Sequence, residues 1–224
     1  MTDHEWWHVI DLPDGTSTPG GWDLRHTAEH EIPWPPVAGK RCLDVGTADG
    51  FWAFEMERRG AADVLATDVQ SPFQSRAQRK FELARELRGS SVRYEACSVY
   101  DLEGEYDVVF MGFVLQMLAD PIGALESLRR VCRGHLVLLD TVSAPLSLLP
   151  SPLARLDARR DGREWFVFNR RGLRKVVELA GWTVEAQTAL LADRAGPLPV
   201  AQQARRSWKW RLGVRGRSCA ILAS

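Results

Sequence analysis

The run Leu43-Asp44-Val45-Gly46-Thr47-Ala48-Asp49-Gly50 brings acids, glycines and a hydroxyl together at the end of an apolar segment. An apolar strand that enters a glycine turn and leaves as a helix lets the backbone approach a ligand closely. About 20 residues further on, a spacing familiar from nucleotide sites, a second short run, Val64-Leu65-Ala66-Thr67, ends on Asp68. A carboxylate there can take the two hydroxyls of a ribose. Turn and acid together are suited to holding an adenosine. The turn reads Gly46-x-Ala48-x-Gly50, with alanine at the middle position, and by itself suits a dinucleotide as well as a nucleoside. Asp44 at the strand end can reach an amino-acid portion of a ligand. Ala96-Cys97-Ser98-Val99-Tyr100-Asp101 supplies a short polar loop that can meet an adenine edge. Met111-Gly112-Phe113 supplies a second glycine where the backbone can come close.

These residues need elements to position them. Alternation of apolar runs with helical periodicity predicts strands at 41–45, 63–67, 92–97, 106–111, 135–140, 183–191 and 219–222. Helices are predicted at 51–59, 74–87, 121–131 and 170–180, the first ending at Gly60 and the last at Gly181. Phe81, Leu83, Ala84 and Leu87 form the apolar stripe of the second helix, and Asn169 is the N-cap of the last. Such alternation implies an α/β fold with a mostly parallel sheet and helices on both faces. Residues 1–39 mix Trp6, Trp7, Trp22 and Trp34 with turn residues, and read as a cap packed over the active site ahead of a single domain at 40–224. Residues 141–169 interrupt the alternation with Pro145, Pro150 and Pro152 and with Arg155, Arg159, Arg160 and Arg163. An insertion there lies above the carboxyl ends of the strands, where open α/β sheets bind ligands, and is expected to form part of a substrate pocket.

The chain has 224 residues, 29 basic against 29 acidic, so net attraction to nucleic acid or membrane is not built into its composition. No apolar run approaches the roughly 20 residues of a membrane span. The N-terminus is polar and acidic, unlike a secretory signal. Cys42, Cys97, Cys132 and Cys219 are scattered singly, which suits packing rather than zinc and points to a reducing, cytoplasmic setting. Charge is nonetheless uneven. Acids crowd residues 1–40, and Arg194, Arg205, Arg206, Lys209, Arg211, Arg215 and Arg217 form an acid-free tail. Such a tail either binds phosphate, diphosphate or RNA, or is a solvated edge.

The whole arrangement resembles the class I S-adenosylmethionine-dependent methyltransferases over roughly residues 40–224. The resemblance implies a Rossmann-like, seven-stranded sheet with a reversed last hairpin. It also implies that Gly46, Thr47 and Gly50 wrap the methionine part of the cofactor. Asp68 would hold the ribose, Val69 would lie against the adenine, Ser98 and Val99 would flank it, and Met111 and Gly112 would close the site. A narrower likeness runs through 39–55, Ser98-Val99-Tyr100-Asp101-Leu102 and 114–121. It is to the branch that includes the tRNA wobble-uridine carboxymethyltransferases, whose cofactor is carboxy-S-adenosylmethionine. In that branch a tyrosine–histidine pair follows the fourth strand, and the tyrosine helps recognise the extra carboxylate. Gln116 and Met117 stand there in this chain. The likeness does not take in the long N-terminal extension of those enzymes, and is nearer to short stand-alone relatives. Ordinary S-adenosylmethionine is therefore the expected cofactor.

Transfer from a sulfonium needs positioning more than activation, and a general base only if the acceptor loses a proton early. His8, in Trp6-Trp7-His8, is the candidate base, since its ordinary pKa suits the task. It can equally be a structural hydrogen-bonder. His4, His26 and His30 read as surface residues and His135 as a turn residue. Trp7, Trp22, Trp165 and Phe166 could line an acceptor pocket or pack in the core. Trp52 could cover the cofactor or pack on the sheet. Trp208-Lys209-Trp210-Arg211 reads as a strand face, or as a base-stacking surface beside phosphates. Three functions follow: methyl transfer to a small molecule, modification of tRNA, or a non-catalytic partner protein that keeps the cofactor fold.

Overall fold

A computed structural model describes residues 6–69, 74–156, 165–192 and 217–224. His4, Arg159, Arg160, Arg163, the basic residues of 194–215 and the Trp208-Lys209-Trp210-Arg211 run lie outside them. The strands are β1 (Arg41–Val45), β2 (Asp63–Asp68), β3 (Arg93–Ala96), β4 (Tyr106–Gly112), β5 (Cys132–Val142), β6 (Ala154–Leu156), β7 (Phe166–Phe168), β8 (Val184–Gln187), β9 (Leu191–Ala192) and β10 (Arg217–Ala223). The helices are α1 (Arg25–His30), α2 (Phe51–Arg58), α3 (Gln74–Arg88), α4 (Pro121–Val131) and α5 (Arg170–Leu179).

The continuous path of the sheet runs β3-β2-β1-β4-β5-β10-β8. The first five of these pair in parallel, and β10 runs against both β5 and β8. Its seven strands carry the expected reversed last hairpin, and β6, β7 and β9, off this path, make ten strands in all among the described residues. Chain direction across the sheet switches between β1 and β4, so the turns that follow those two strands diverge at their carboxyl ends and open a crevice there.

Strand residues alternate between two cores, as the two-residue repeat requires. Leu43, Val45, Val109, Met111, Leu136 and Leu138 face α4 and α5, with Leu125, Leu128, Leu173 and Val177. Cys42, Val108, Phe110, Val137 and Leu139 face the other way, toward α2 and α3. Trp6, Ile10, Leu24, Ala28, Ile32 and Val37 belong to that second cluster. The N-terminal segment is therefore built into one face of the sheet. Trp34 stacks on Phe110 with centroids 5.4 Å apart, and Trp52 does so at 4.3 Å, which places Trp52 in the packing on the sheet.

Several local expectations are corrected. β5 begins at Cys132, straight out of α4, so His135 lies within a strand and pairs with Val108 rather than forming a turn. The stripe of α3 is Ala77, Phe81 and Ala84, at helical spacing, while Leu83 is half-buried and Leu87 is exposed. The long strand expected at 183–191 is interrupted after Gln187, leaving β8 and β9 to pair separately with β10. Within 141–169 a small hairpin, β6–β7, adds to the sheet through one pairing of Val142 with Phe168. Within residues 1–39, where turn residues break up the chain, α1 is a helix of only 6 residues.

Candidate active site

The crevice is built first by the turn after β1. Gly46 has φ +74° and donates its N–H to Thr67 O at 2.8 Å, as Thr47 does at 3.0 Å. Ala48 is also left-handed, at φ +50°, a conformation that non-glycine residues adopt only where surroundings enforce it. Here Asp68 enforces it, with Oδ2 accepting the Ala48 N–H at 3.0 Å and Oδ1 the Val69 N–H at 2.8 Å. Gly50, at φ +95°, is the N-cap of α2, and a Cβ there would lie 2.5 Å from the Phe54 ring and 2.7 Å from Phe81.

Asp44 lies beneath this turn and is 1% exposed. Its Oδ2 accepts the Thr47 hydroxyl at 2.7 Å, while Oδ1 is buried with no partner. Burial pushes its carboxyl up to about 7, and the nearby Asp68 pushes the same way. The Thr47 hydroxyl, the Ala53 backbone N–H and, more weakly, His8 oppose them. A carboxyl raised in the folded state stabilises that state below its unfolded pKa, and the contribution is lost as pH rises through the folded value. Asp44→Asn is therefore expected to gain stability relative to the wild type as pH rises from 3.8 to about 7, and to hold that gain above. Ligand-free thermal melts across pH check this.

The structure adds a residue that the sequence did not single out. Asp49, within the same turn, is fully buried and reaches the N-terminal segment. Its Oδ2 accepts the backbone N–H groups of Trp7 at 2.8 Å and His8 at 3.0 Å, and its Oδ1 meets His8 Nδ1 at 2.5 Å. His8 thus stands beside the turn, its ring 5.5 Å from Phe51. Trp7 and Trp22, both half-buried, are tied to each other by the Trp22 N–H to Trp7 O bond of 2.8 Å. No sequence signal links residues so far apart. An acid within a tight turn was the one available hint.

Ser98 accepts the Tyr100 N–H and opens a short turn in which Val99 is buried. Val69 is 46% exposed at the end of β2. Met111 is fully buried in the core, so at the end of β4 only its backbone and Gly112 can border the crevice. Beyond Gly112 a 3₁₀ turn (Leu115–Met117) carries Gln116, 7% exposed, whose Oε1 is buried without a partner. Its N–H reaches Asp140 Oδ2 at 3.2 Å, and its carbonyl accepts the Trp165 N–H at 2.8 Å. Trp165 is 42% exposed, whereas Phe166 stacks on Phe168 and packs toward the core. The predicted aromatic lining therefore attaches at two places, the turn after β1 and the turn after β4. Asn169 caps α5 as expected, accepting the Gly172 N–H at 2.7 Å, and its amide holds Leu146 and Ser151. Cavities of about 460 and 320 Å³ lie elsewhere, and neither takes in Asp44, Asp68 or the Gly46–Gly50 turn.

Residues 24–187 match the family model described as a methyltransferase domain. A tRNA U34 carboxymethyltransferase of Campylobacter hominis is 31% identical over 114 residues, which cover 49% of this chain and 39% of that protein. The chain thus spans less than half the length of this curated relative. An S-adenosylmethionine-dependent methyltransferase from Mesorhizobium loti shares the fold with a TM-score of 0.58 at 16% identity, over 85% of this chain and 93% of that one. Magnesium protoporphyrin IX methyltransferase from Synechocystis, solved with bound SAH, does so with a TM-score of 0.56 at 15% identity, over 84% and 74%.

Proposed function

The chain belongs to the methyltransferase domain family, and from that membership we propose that it transfers the methyl group of S-adenosylmethionine to a small-molecule acceptor. The observation that carries the cofactor assignment is the orphaned Asp44 Oδ1 under a left-handed glycine turn. A buried acceptor without a donor is costly, and an ammonium group is the donor that the methionine part of the cofactor would bring. Gly46, Thr47 and Gly50 would wrap that part. Asp68, at the end of β2 with its carboxylate fixed by the Ala48 and Val69 N–H groups, would meet the ribose hydroxyls. Val69, Ser98, Val99 and the backbone at Met111 and Gly112 would border the adenosine.

When bound, the cofactor supplies a methyl carbon already activated by its sulfonium. The protein's own task is to align an acceptor with that carbon and to exclude water. Gln116 and Trp165 would border the acceptor side. Met117, next to Gln116, and Leu156, which pairs with Phe166 beside Trp165, are exposed and apolar, which suits a small apolar acceptor better than a phosphate backbone. Gln116 bears a cost in the empty protein. Gln116→Leu is expected to stabilise the ligand-free form by about 1 kcal/mol, because it removes an unsatisfied buried amide oxygen, while lowering transfer; chemical denaturation and acceptor assays measure the two effects.

Native mass spectrometry of the purified protein, with identification of any released small molecule, tests the assignment. S-adenosylmethionine or its demethylated product supports it. Carboxy-S-adenosylmethionine instead would move the chain to wobble-uridine chemistry. The partial likeness to the Campylobacter enzyme favours that second reading. It requires tRNA binding that weakens steeply with salt, which fluorescence anisotropy with bulk tRNA measures.

A further inference from the structure

Asp49 makes more contacts than a simple clamp needs. Its Oδ2 alone secures the backbone of Trp7 and His8. Its Oδ1 is spent on the His8 ring at Nδ1. A carboxylate can only accept hydrogen bonds, so this contact requires a proton on Nδ1. In a neutral imidazole that leaves the lone pair on Nε2. The His8 side chain is 13% exposed, its partner is fully buried, and its backbone is pinned on the far side, where its carbonyl accepts the Thr18 hydroxyl at 2.7 Å. The ring also acts electrostatically on Asp44, the carboxylate assigned above to the cofactor's ammonium. A fixed imidazole and the cofactor turn therefore form one unit.

We propose that Asp49 is a positioning residue that locks His8 in the Nδ1–H tautomer, so that Nε2 receives the proton of an O–H or N–H acceptor during methyl transfer. This rests on the methyltransferase reading above. As the acceptor's proton moves to Nε2, its lone pair forms the bond to the methyl carbon, and the carbon–sulfur electron pair goes to sulfur. His8 is then cationic beside the Asp49 carboxylate, which stabilises it, and returns the proton to water after release. The acceptor class is thereby narrowed to groups that must lose a proton to become nucleophilic.

The test needs no acceptor. Protein labelled with ¹⁵N-histidine is examined at pH 8.5 by long-range ¹H–¹⁵N correlation, and His8 is assigned by its loss in His8→Gln. A protonated Nδ1 and bare Nε2 in the wild type are expected, together with a mixture of tautomers in Asp49→Asn. Titration of the wild type with S-adenosylmethionine tests the underlying cofactor reading separately. A wild-type His8 carrying its proton on Nε2, or on both nitrogens, would overturn the proposal even if the variant did not fold. An unchanged tautomer in a folded Asp49→Asn would do the same. Failure of the wild type to bind S-adenosylmethionine would sink the broader reading instead, so the two failures are separable.

Discussion

Replacing Asp68 by alanine is expected to weaken S-adenosylmethionine binding by at least about 30-fold, since truncating one partner of a buried, hydrogen-bonded charge costs about 2–5 kcal/mol. Two effects combine. The side chain would lose its proposed bonds to the ribose. It would also abandon the Ala48 and Val69 N–H groups, one of which holds a left-handed alanine in the cofactor turn. Asp68→Asn separates these effects. Its carbonyl oxygen can keep one of the backbone bonds, so the fold is expected to survive with less loss of binding than in the alanine variant. Isothermal titration measures affinity, and a thermal melt of each ligand-free variant measures the scaffold. Equal and undiminished affinity in both variants would remove Asp68 from the cofactor site.

The second large effect is expected at Gly50. A side chain at φ +95° is strained by about 1–3 kcal/mol. The new Cβ would also meet Phe54 at 2.5 Å and Phe81 at 2.7 Å, two rings stacked with centroids 5.5 Å apart. Neither ring can withdraw without opening the core, and overpacking of this kind adds about 1–3 kcal/mol. Gly50→Ala is thus expected to destabilise the protein by about 2–6 kcal/mol, the sum of those ranges, a large share of a typical domain's stability. It should also displace the start of α2, and with it Asp49. Denaturant unfolding gives the first consequence, and loss of cofactor binding under folding conditions gives the second.

The turn after β1 and the acid that ends β2 were legible because they are local. Gly46, Gly50 and Asp68 sit at strand ends whose apolar runs announce them, and β1 and α4 fall where periodicity puts them. Failures occur where tertiary contact overrides pattern. Leu87 continues the stripe of α3 by spacing, yet its side chain meets solvent. His135 reads as a turn residue at the start of a strand, but pairing with β4 begins at Cys132 and carries it inside β5. Asp49 was passed over because its role depends on Trp7 and His8, and nothing in the intervening chain encodes that meeting. His8 could be picked out by residue type alone, but the partner that gives it an orientation could not.

The placement of β10 bears on how the molecule is made. This strand lies between β5 and β8, and Cys219, Ala220 and Ile221 are fully enclosed. Everything it joins leaves the ribosome earlier. While the segment up to 192 is emerging, β5 presents an open hydrogen-bonding edge and β8 has no neighbour to hold it. A nascent chain in that condition invites pairing with other copies. Translation at about 5–20 residues per second makes the exposure last seconds. Production yield should therefore depend on chaperone supply and on leaving residues 217–223 intact, more than on changes at the N-terminal side of the sheet.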